Sequence, residues 1–353
     1  MVTQEAVLKV LGTIDDPELK KPLTDLDMVK AVAIDGNKVK VAISLTVPGC
    51  PLKEKIASDI VAGVKTIDGV NEVTVEFDVM TDDQRANLKA KLGMARGPAD
   101  APPRMDFAKR FIAVASGKGG VGKSTVTTNL AVACARLGKK VGLLDADVYG
   151  FSIPRMIGLT GQPTVIDDKI VPLRKGDNLQ VVSMGFFIDE DEPVVWRGPL
   201  LHKAINQFIA DSMWDELDYL FLDLPPGTGD VTISVAQALP STELIVVTTP
   251  QATATHVAGR VAKLAEKTNL KVLGVIENMA YYESNGKRDY IFGKDGGKSL
   301  AAKLHVPMLG EVPLMTSIRE AADAGKPVAL DGTDDQVAIF EAIARAIENT
   351  QPR

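Results

Sequence analysis

The chain has 353 residues, of which 45% are hydrophobic and 24% are charged, and its formal net charge is −6. This length accommodates two domains, and the composition is that of an ordinary globular protein. The acidic balance disfavours nonspecific binding to nucleic acid. Neither a transmembrane helix nor a signal peptide is expected, because no long apolar run occurs. Two cysteines, Cys50 and Cys134, exclude a disulfide framework and fit a reducing cytoplasm.

Residues 1–93 predict a small α+β domain. The polar Asp35-Gly36-Asn37 between two apolar runs indicates a β-hairpin. The glycine- and proline-rich residues 94–106 predict a linker, and residues 107–353 a second domain. The predicted elements of the first domain are a helix near Thr3–Leu11, strands near Val29–Ile34 and Lys38–Thr46, a helix from Pro51 to about Lys65, and a strand at Val70–Val79.

The two cysteines lie in different predicted surroundings. Cys50 precedes Pro51, which suits the first position of a helix, and a helix N-terminus favours the thiolate form. Cys50 is therefore a candidate metal ligand, with a small buried turn residue as the equal alternative. Cys134 lies among alanine and valine on a predicted helix, where a free cysteine behaves as a small hydrophobic residue.

Residues 117–124 match the phosphate-loop pattern G-x-x-x-x-G-K-[ST] in full. An apolar run predicts a strand before the pattern and Thr125–Leu137 predicts a helix after it, which is the required context. Lys123 would neutralise the β- and γ-phosphates, and the Ser124 hydroxyl would bind Mg²⁺. The predicted nucleotide-binding residues of the loop are Gly117, Lys118, Gly119, Gly120, Val121, Gly122, Lys123, Ser124 and Thr125.

Apolar runs alternate with amphipathic stretches after residue 106. This alternation predicts a parallel sheet with helices on both faces, whose ligands bind beyond the carboxyl ends of the strands. The C-terminal segment Asp335–Ile343 predicts a helix that packs on its own domain. The runs are Phe111–Ser116, Lys140–Asp145, Leu179–Met184, Tyr219–Leu224, Leu244–Thr249, Val272–Ile276 and Met308–Val312.

Acidic residues end two of these runs. Asp145 and Asp147 end the second run, where they would lie near phosphates and metal. Asp223 ends an apolar run as a Walker B aspartate does, and would hold Mg²⁺ through water. Asp145 would support the metal shell. The glycines Gly227 and Gly229 would let the following loop change shape when the γ-phosphate leaves.

An additional lysine, Lys118, follows the first glycine of the loop. The arrangement K-G-G-x-G-K-[ST] resembles the deviant Walker A loop of the MinD, ParA, ArsA and nitrogenase iron protein family. That resemblance implies an ATP-dependent homodimer in which Lys118 reaches the partner's nucleotide. It also implies that Asp147 positions the attacking water, so Lys118, Lys123 and Asp147 are the predicted catalytic residues.

The string D-x-P-P-G-T-G-D at residues 223–230 resembles the Mrp/Nbp35 (ApbC-like) group of iron–sulfur cluster carrier ATPases. Trp196-Arg197-Gly198-Pro199 and Glu277-Asn278-Met279 fall in the expected order, and residues 1–93 resemble a MIP18-like domain. The resemblance implies delivery of clusters from an assembly scaffold to client apoproteins, without nucleic-acid or membrane partners. It further implies that Asn278 and Pro313 face the adenine, with Asn278 reading its exocyclic amine.

The chain departs from this family after Met279. Most members carry a C-x-x-C pair there, whereas residues 280–293 contain no cysteine, as in a branch that includes a plastid assembly factor. A [4Fe–4S] cluster usually needs four thiolates. If this chain carries one, Cys50 is the best candidate ligand. The cofactors expected from the sequence are thus ATP and Mg²⁺, with the cluster left open.

Three other functions are compatible with a phosphate loop. A MinD- or ParA-like positioning or partitioning ATPase would need a lipid- or DNA-binding surface, but the C-terminal segment is acidic. A reductase of the nitrogenase iron protein kind would need cysteines that are absent. A non-enzymatic adaptor locked by nucleotide is disfavoured by Asp147 and Asp223. The sequence therefore predicts a slow, dimer-dependent ATPase that carries clusters.

Overall fold

The computed structural model describes residues 2–17, 21–45, 52–81, 84, 88, 106–188, 198–227 and 229–352, without the side chains of 198–203 and 230. The chain forms two compact units. One comprises Met1–Pro103 with Gly161–Val171, and the other comprises Arg104–Thr160 with Pro172–Arg353. The predicted linker at 94–106 lies almost wholly outside the described residues, so the domain boundaries stay a prediction.

The first unit contains a three-stranded sheet of order β1-β2-β3. Strands β1 and β2 are antiparallel, and Asp35 pairs with Lys38 across the two-residue turn at Gly36-Asn37, which confirms the predicted hairpin. Strand β3 is parallel to β2, because the intervening helix provides the crossover. The elements are α1 (Gln4–Leu11), β1 (Val29–Asp35), β2 (Lys38–Leu45), α2 (Lys53–Val64) and β3 (Glu72–Val79).

An eight-stranded sheet organises the second unit. Its strand order is β15-β12-β11-β4-β10-β5-β9-β8, and every pairing is parallel except the antiparallel edge pair β8–β9. The strands after residue 106 are β4 (Ala108–Ser116), β5 (Val141–Asp145), β6 (Val165–Ile166), β7 (Lys169–Ile170), β8 (Leu173–Lys175), β9 (Leu179–Ser183), β10 (Leu217–Asp223), β11 (Glu243–Thr248), β12 (Lys271–Asn278), β13 (Tyr282–Ser284), β14 (Lys287–Asp289) and β15 (Met308–Val312).

The parallel sheet predicted from the alternating apolar runs is confirmed. Strand β8 was not predicted, because three residues are too few for a periodic pattern. Helices connect the strands. Those after residue 106 are α3 (Lys123–Arg136), α4 (Ile153–Ile157), α5 (Gly198–Ala210), α6 (Asp230–Ala238), α7 (Ala252–Lys267), α8 (Gly296–Leu304), α9 (Thr316–Asp323), α10 (Val328–Asp331) and α11 (Asp334–Glu348).

The core of the second unit lies between the sheet and its covering helices. Residues 111–116 of β4 are buried without interruption, as expected of a central parallel strand covered on both faces. Helix α11 packs on α3 and β15 through buried side chains such as Phe340 and Ile343, which confirms the prediction for this segment. None of the described helices is long and apolar enough to cross a membrane.

Strand register brings the functional motifs to one edge of this sheet. Asp223 pairs with Asp145 and with Val114, so Walker B and the Asp145-Asp147 motif end beside the strand that enters the phosphate loop. Asn278 pairs with Val312 at the ends of β12 and β15. Because parallel strands end on the same side, the motifs share the carboxyl edge where ligands of such folds bind.

Candidate functional site

The loop between β4 and α3 borders a cavity of about 280 Å³. Residues 118–125 line it, together with Asp147, Ser152, Met156 and Pro226. Gly120 and Gly122 have φ values of 80° and 78°, the left-handed region that glycine adopts without strain. The loop reaches the N-terminus of α3, whose backbone N–H groups and dipole favour anions.

Gly117 and Gly122 are also required by close packing. A Cβ at Gly117 would lie 2.3 Å from the backbone nitrogen of Ala258 in α7. A Cβ at Gly122 would lie 2.2 Å from Nδ2 of Asn278. Both distances are far below van der Waals contact. A side chain at Gly117 would collide with backbone, and one at Gly122 would displace the Asn278 side chain and strain a positive φ.

Four polar side chains, of which Lys123 and Ser124 line the cavity, form a cluster around the buried Asp223 carboxylate. Lys123 Nζ lies 2.6 Å from Asp223 Oδ2, with the two side chains 6% and 0% exposed. The Ser124 hydroxyl donates to the same oxygen at 2.5 Å, and the Thr127 hydroxyl donates to Asp223 Oδ1 at 2.7 Å. The sequence analysis did not identify Thr127, although its position four residues after Lys123 places it on the same helix face.

Asp145 is fully buried and anchors the loop that follows it. Its Oδ2 accepts hydrogen bonds from the Ser183 hydroxyl at 3.1 Å and from the backbone nitrogens of Ser152 and Ile153 at 3.3 Å. Its Oδ1 accepts from Asp147 N at 3.2 Å. Burial and the neighbouring Asp223 raise the pKa of Asp145 to about 7. These contacts fix the path of residues 147–153.

Asp147 lines the cavity itself and is partly exposed. Burial is the main cause that raises the pKa of its carboxyl, and the negative charge of Asp223 acts in the same direction, while Lys123 opposes both. Asp147 is therefore an acidic residue of the cavity wall whose proton is held more tightly than in water. The structure thus brings Asp147 together with the loop, and places Asp145 and Asp223 behind it.

A second cavity of about 270 Å³ adjoins the first, and Gly122, Thr125 and Met156 line both. Asn278 and Pro313, the predicted base-binding residues, lie in its wall. Asn278 Nδ2 donates to the Val121 carbonyl at 2.8 Å. The amide oxygen Oδ1 of the same side chain takes no part in this bond and can accept a hydrogen bond. Met156 and Arg319 also line this cavity, and no sequence motif had indicated either residue.

Lys118 is exposed and lies in the wall of the first cavity. The neighbouring Ser116 hydroxyl donates to the Lys118 carbonyl at 3.1 Å, and Gly227 N donates to the Ser116 carbonyl at 2.8 Å. The first bond fixes the backbone at the start of the phosphate loop, and the second joins that start to the loop after Asp223. The Lys118 side chain is left at the surface.

The oxygen donors of this site fit a magnesium ion. Ser124 and Asp223 offer a hydroxyl and a carboxylate next to each other, and hard oxygen ligands are those that Mg²⁺ prefers. Thr127 and Lys123 hold the Asp223 carboxylate in place. Within the described residues, no group of three or more His, Cys, Asp and Glu side chains is arranged to hold a metal by itself. In nucleotide sites, Mg²⁺ is usually held by one or two protein oxygens together with phosphates and water.

Of the two cysteines, the structure describes Cys134 but not Cys50. Cys134 is 2% exposed within the core under the sheet, and burial raises the pKa of its thiol to about 12. It is therefore a core residue, as predicted, and its thiol stays protonated at neutral pH. Cys50 lies outside the described residues. After Met279, where the sequence departs from the expected family pattern, the chain forms the hairpin β13–β14.

Comparison with known proteins identifies both parts of the chain. Residues 108–348 match the family model of the NUBPL iron-transfer P-loop NTPases, and residues 4–77 match that of an iron–sulfur cluster assembly protein. The iron–sulfur cluster carrier protein of Mycobacterium tuberculosis is 45% identical, covering 94% of this chain and 89% of its own. That of Bacillus subtilis is 44% identical, covering 99% and 98%.

Solved structures resemble about two thirds of the chain. A nucleotide-binding protein from Archaeoglobus fulgidus, in complex with ADP, is 40% identical with a TM-score of 0.56, covering 63% of this chain and 89% of its own. The cell-division ATPase MinD of Pyrococcus furiosus is 25% identical with a TM-score of 0.53, covering 68% and 98%. The likeness to MinD is a relationship of fold. Because the family model matches more than half of the chain and the relatives match nearly all of it, this chain belongs to the NUBPL-type iron-transfer P-loop NTPases. Its NTPase domain is preceded by an iron–sulfur cluster assembly domain.

Proposed function

We propose that this chain binds and hydrolyses Mg–ATP and thereby controls the delivery of iron–sulfur clusters to client apoproteins. The observation that carries the proposal is the buried contact of Lys123 and Ser124 with Asp223 beneath a complete phosphate loop. The assignment of an iron–sulfur cluster as the group delivered is supported by membership of the iron-transfer NTPase family and by the cluster carrier names of the relatives.

Each residue of the loop has a task in this proposal. The backbone of residues 117–125 and the N-terminus of α3 would cradle the phosphates, with Lys123 on the β- and γ-phosphate oxygens. Ser124 and Asp223 would hold Mg²⁺, which when bound neutralises charge on those oxygens. Asp147 would accept a hydrogen bond from the attacking water and orient it. Asp145 would position Asp147 through its bond to the Asp147 backbone nitrogen, and it would support the metal shell once bound Mg²⁺ favours its ionised form.

The second cavity, which Asn278 and Pro313 line, would favour adenine over guanine. The Asn278 side chain donates to Val121, so its Oδ1 is available as an acceptor. The exocyclic amine of adenine is a donor, whereas guanine carries a carbonyl at the same position. Pro313 would contact the face of the base. ATP should therefore bind more tightly than GTP.

We infer that the active state is a homodimer in which Lys118 contacts the partner's nucleotide. The loop lysine is exposed beside the cavity, and the resemblance of K-G-G-x-G-K-S to dimeric ATPases supports this role. Lys118→Ala should keep ATP affinity but lose most hydrolysis, and the rate per chain should rise with protein concentration in the wild type. Normal hydrolysis by Lys118→Ala would contradict the dimer-dependent mechanism.

Cluster carriage by this chain would depend on Cys50. Cys134 is buried as a thiol, so two copies of the chain would offer two Cys50 thiolates, and thiols of the client or scaffold would supply the others. Such a cluster would be held weakly, which suits transfer. The free thiol of Cys134 is in keeping with a reducing, cytoplasmic location.

Anaerobic reconstitution with iron and sulfide tests this assignment. The Cys50→Ser variant should lose the visible absorption of a bound cluster, while Cys134→Ser, a matched control in the core, should retain it. An unchanged spectrum in Cys50→Ser would remove Cys50 as a ligand. Transfer to a cluster-free apoprotein, measured with and without Mg–ATP, tests whether nucleotide controls delivery.

A further inference from the structure

Three methionines converge on the second cavity. Met156, Met279 and Met315 all line it, and Met156 also lines the first cavity. They come from separate elements, since Met156 lies in α4, Met279 directly follows β12, and Met315 immediately precedes α9. The end of the Met279 side chain lies near the phosphate loop, because a Cβ at Gly122 would be 3.7 Å from Met279 Cε. The fold therefore gathers three thioether side chains around the space predicted to hold the base.

These three side chains are accessible, unlike the methionines of the core. Met156, Met279 and Met315 are each partly exposed, and the cavity of about 270 Å³ that they line is large enough to admit hydrogen peroxide, a molecule little larger than water. A thioether is oxidised only where an oxidant can reach it. The described methionines that are no more than 4% exposed, and thereby protected, are Met28, Met80 and Met184.

Oxidation would change the character of the cavity wall. Hydrogen peroxide transfers one oxygen atom to the thioether sulfur, its O–O bond breaks, and the remaining oxygen leaves with both protons as water. The sulfur is oxidised by two electrons to a sulfoxide, which is polar where the thioether was apolar. The wall includes apolar residues such as Leu314 and Ile318, so a base entering the oxidised cavity would have to remove water from the sulfoxide oxygens without replacing their hydrogen bonds.

We propose that Met156, Met279 and Met315 form a peroxide-sensitive modification site, and that their oxidation to methionine sulfoxide weakens nucleotide binding. The oxidation itself is independent of the protein's activity, whereas its effect on nucleotide affinity rests on the proposed function. Methionine sulfoxide is reduced back by methionine sulfoxide reductases, so the modification is reversible. The base cavity would thus switch ATP binding off under oxidising conditions and on again after repair.

Peroxide treatment of the full-length protein tests the site. Dithiothreitol is added afterwards, because it restores cysteines from disulfides and sulfenic acids and leaves methionine sulfoxide in place. Peptide mass spectrometry should find sulfoxide at all three positions, and calorimetry should show Mg–ADP affinity lowered at least fivefold. Methionine sulfoxide reductases should restore the affinity. Saturating Mg–ADP during the treatment should protect the three cavity methionines but not Met213 and Met308, which are partly exposed and line neither cavity.

Leucine variants separate these sulfurs from other oxidisable groups. Leucine has a similar volume to methionine and no sulfur. In Met156→Leu/Met279→Leu/Met315→Leu the ratio of ADP affinity before and after peroxide should be near one, whatever the starting affinity. The matched control Met213→Leu/Met308→Leu should lose affinity on treatment as the wild type does.

The proposal is overturned if the three positions stay unoxidised, if oxidation leaves the affinity of the wild type unchanged, or if the triple variant still loses affinity. The protection and repair measurements use the wild type, so they decide the matter even if the triple variant does not fold. Untreated wild type that binds no ADP would contradict the proposed function instead, and the positions of the sulfoxides would still decide whether the modification site exists.

Discussion

Lys123 Nζ and Asp223 Oδ2 lie 2.6 Å apart in a pair that is almost completely buried. The phosphate-loop lysine and the Walker B aspartate thus contact each other directly, and Ser124 and Thr127 add hydrogen bonds to the same carboxylate. A nucleotide with Mg²⁺ offers new partners to both charges at once, so binding would exchange one ion pair for a phosphate contact and a metal contact.

Lys123→Ala should lower ATP affinity at least 100-fold and also destabilise the protein by about 3–5 kcal/mol, because it leaves the Asp223 charge buried without its cation. Calorimetry and urea denaturation measure the two effects. The double variant Lys123→Ala/Asp223→Asn should regain part of the stability but none of the affinity. Full stability of the single variant would show that the buried pair contributes little.

Stability should decrease as pH rises from about 4 to about 7. Asp145 has a pKa of about 7 in the folded protein and about 3.8 in the unfolded chain. Between these values the folded state holds a proton that the unfolded state has lost, so unfolding becomes easier by up to about 1.4 kcal/mol per pH unit. The raised pKa of Asp147 acts in the same direction.

Asp145→Asn should remove most of this pH dependence, because the amide does not ionise. The free energy of unfolding of the wild type and of the variant can be measured by urea denaturation without nucleotide. The difference, wild type minus variant, should be greater at pH 5 than at pH 8 by at least about 1 kcal/mol. An equal difference at both pH values would contradict the buried, protonated state of Asp145.

Gly122→Ala should reduce ATP affinity at least tenfold. The new Cβ would collide with Nδ2 of Asn278 and break its bond to Val121, and φ is unfavourable for alanine. Gly286→Ala is the matched control, because Gly286 also has a positive φ of 72° but a Cβ there would meet no atom within 4 Å. Both variants lose stability to backbone strain, and calorimetry should show an affinity loss for Gly122→Ala alone.

Arg110→Met should destabilise the protein by about 3–5 kcal/mol without changing ATP affinity. Arg110 lies 2.7 Å from Glu243 and also donates to the Ile347 carbonyl and the Thr350 hydroxyl, so it joins the start of β4 to the end of α11. The pair lies at the end of the sheet opposite to the phosphate loop. Arg110→Met/Glu243→Leu should recover at least half of the loss in urea denaturation, and no recovery would show that the carbonyl and hydroxyl bonds dominate.

Much of the fold followed from local patterns. The phosphate loop, the parallel strands and the N-terminal hairpin were predicted because glycine spacing, long apolar runs and a two-residue turn are short-range signals. Met156 and Arg319 were not predicted as part of the site, because their neighbours in the cavity wall come from distant segments. Thr127 was also not predicted, although its spacing of four residues from Lys123 is a local signal. The edge strand β8 pairs with β9 through a short connection that carries no periodic signal.

The amino-acid sequence by itself determined which chemical groups are available: a phosphate loop with two lysines, three aspartates at or just after strand ends, and two cysteines that are far apart in the chain. The tertiary structure decided their surroundings. Asp145 became a buried loop anchor and Asp147 a cavity residue, although they are two positions apart. The burial of each aspartate and its distance from other charges depend on strands that meet only after folding. Residue type alone therefore cannot specify these surroundings.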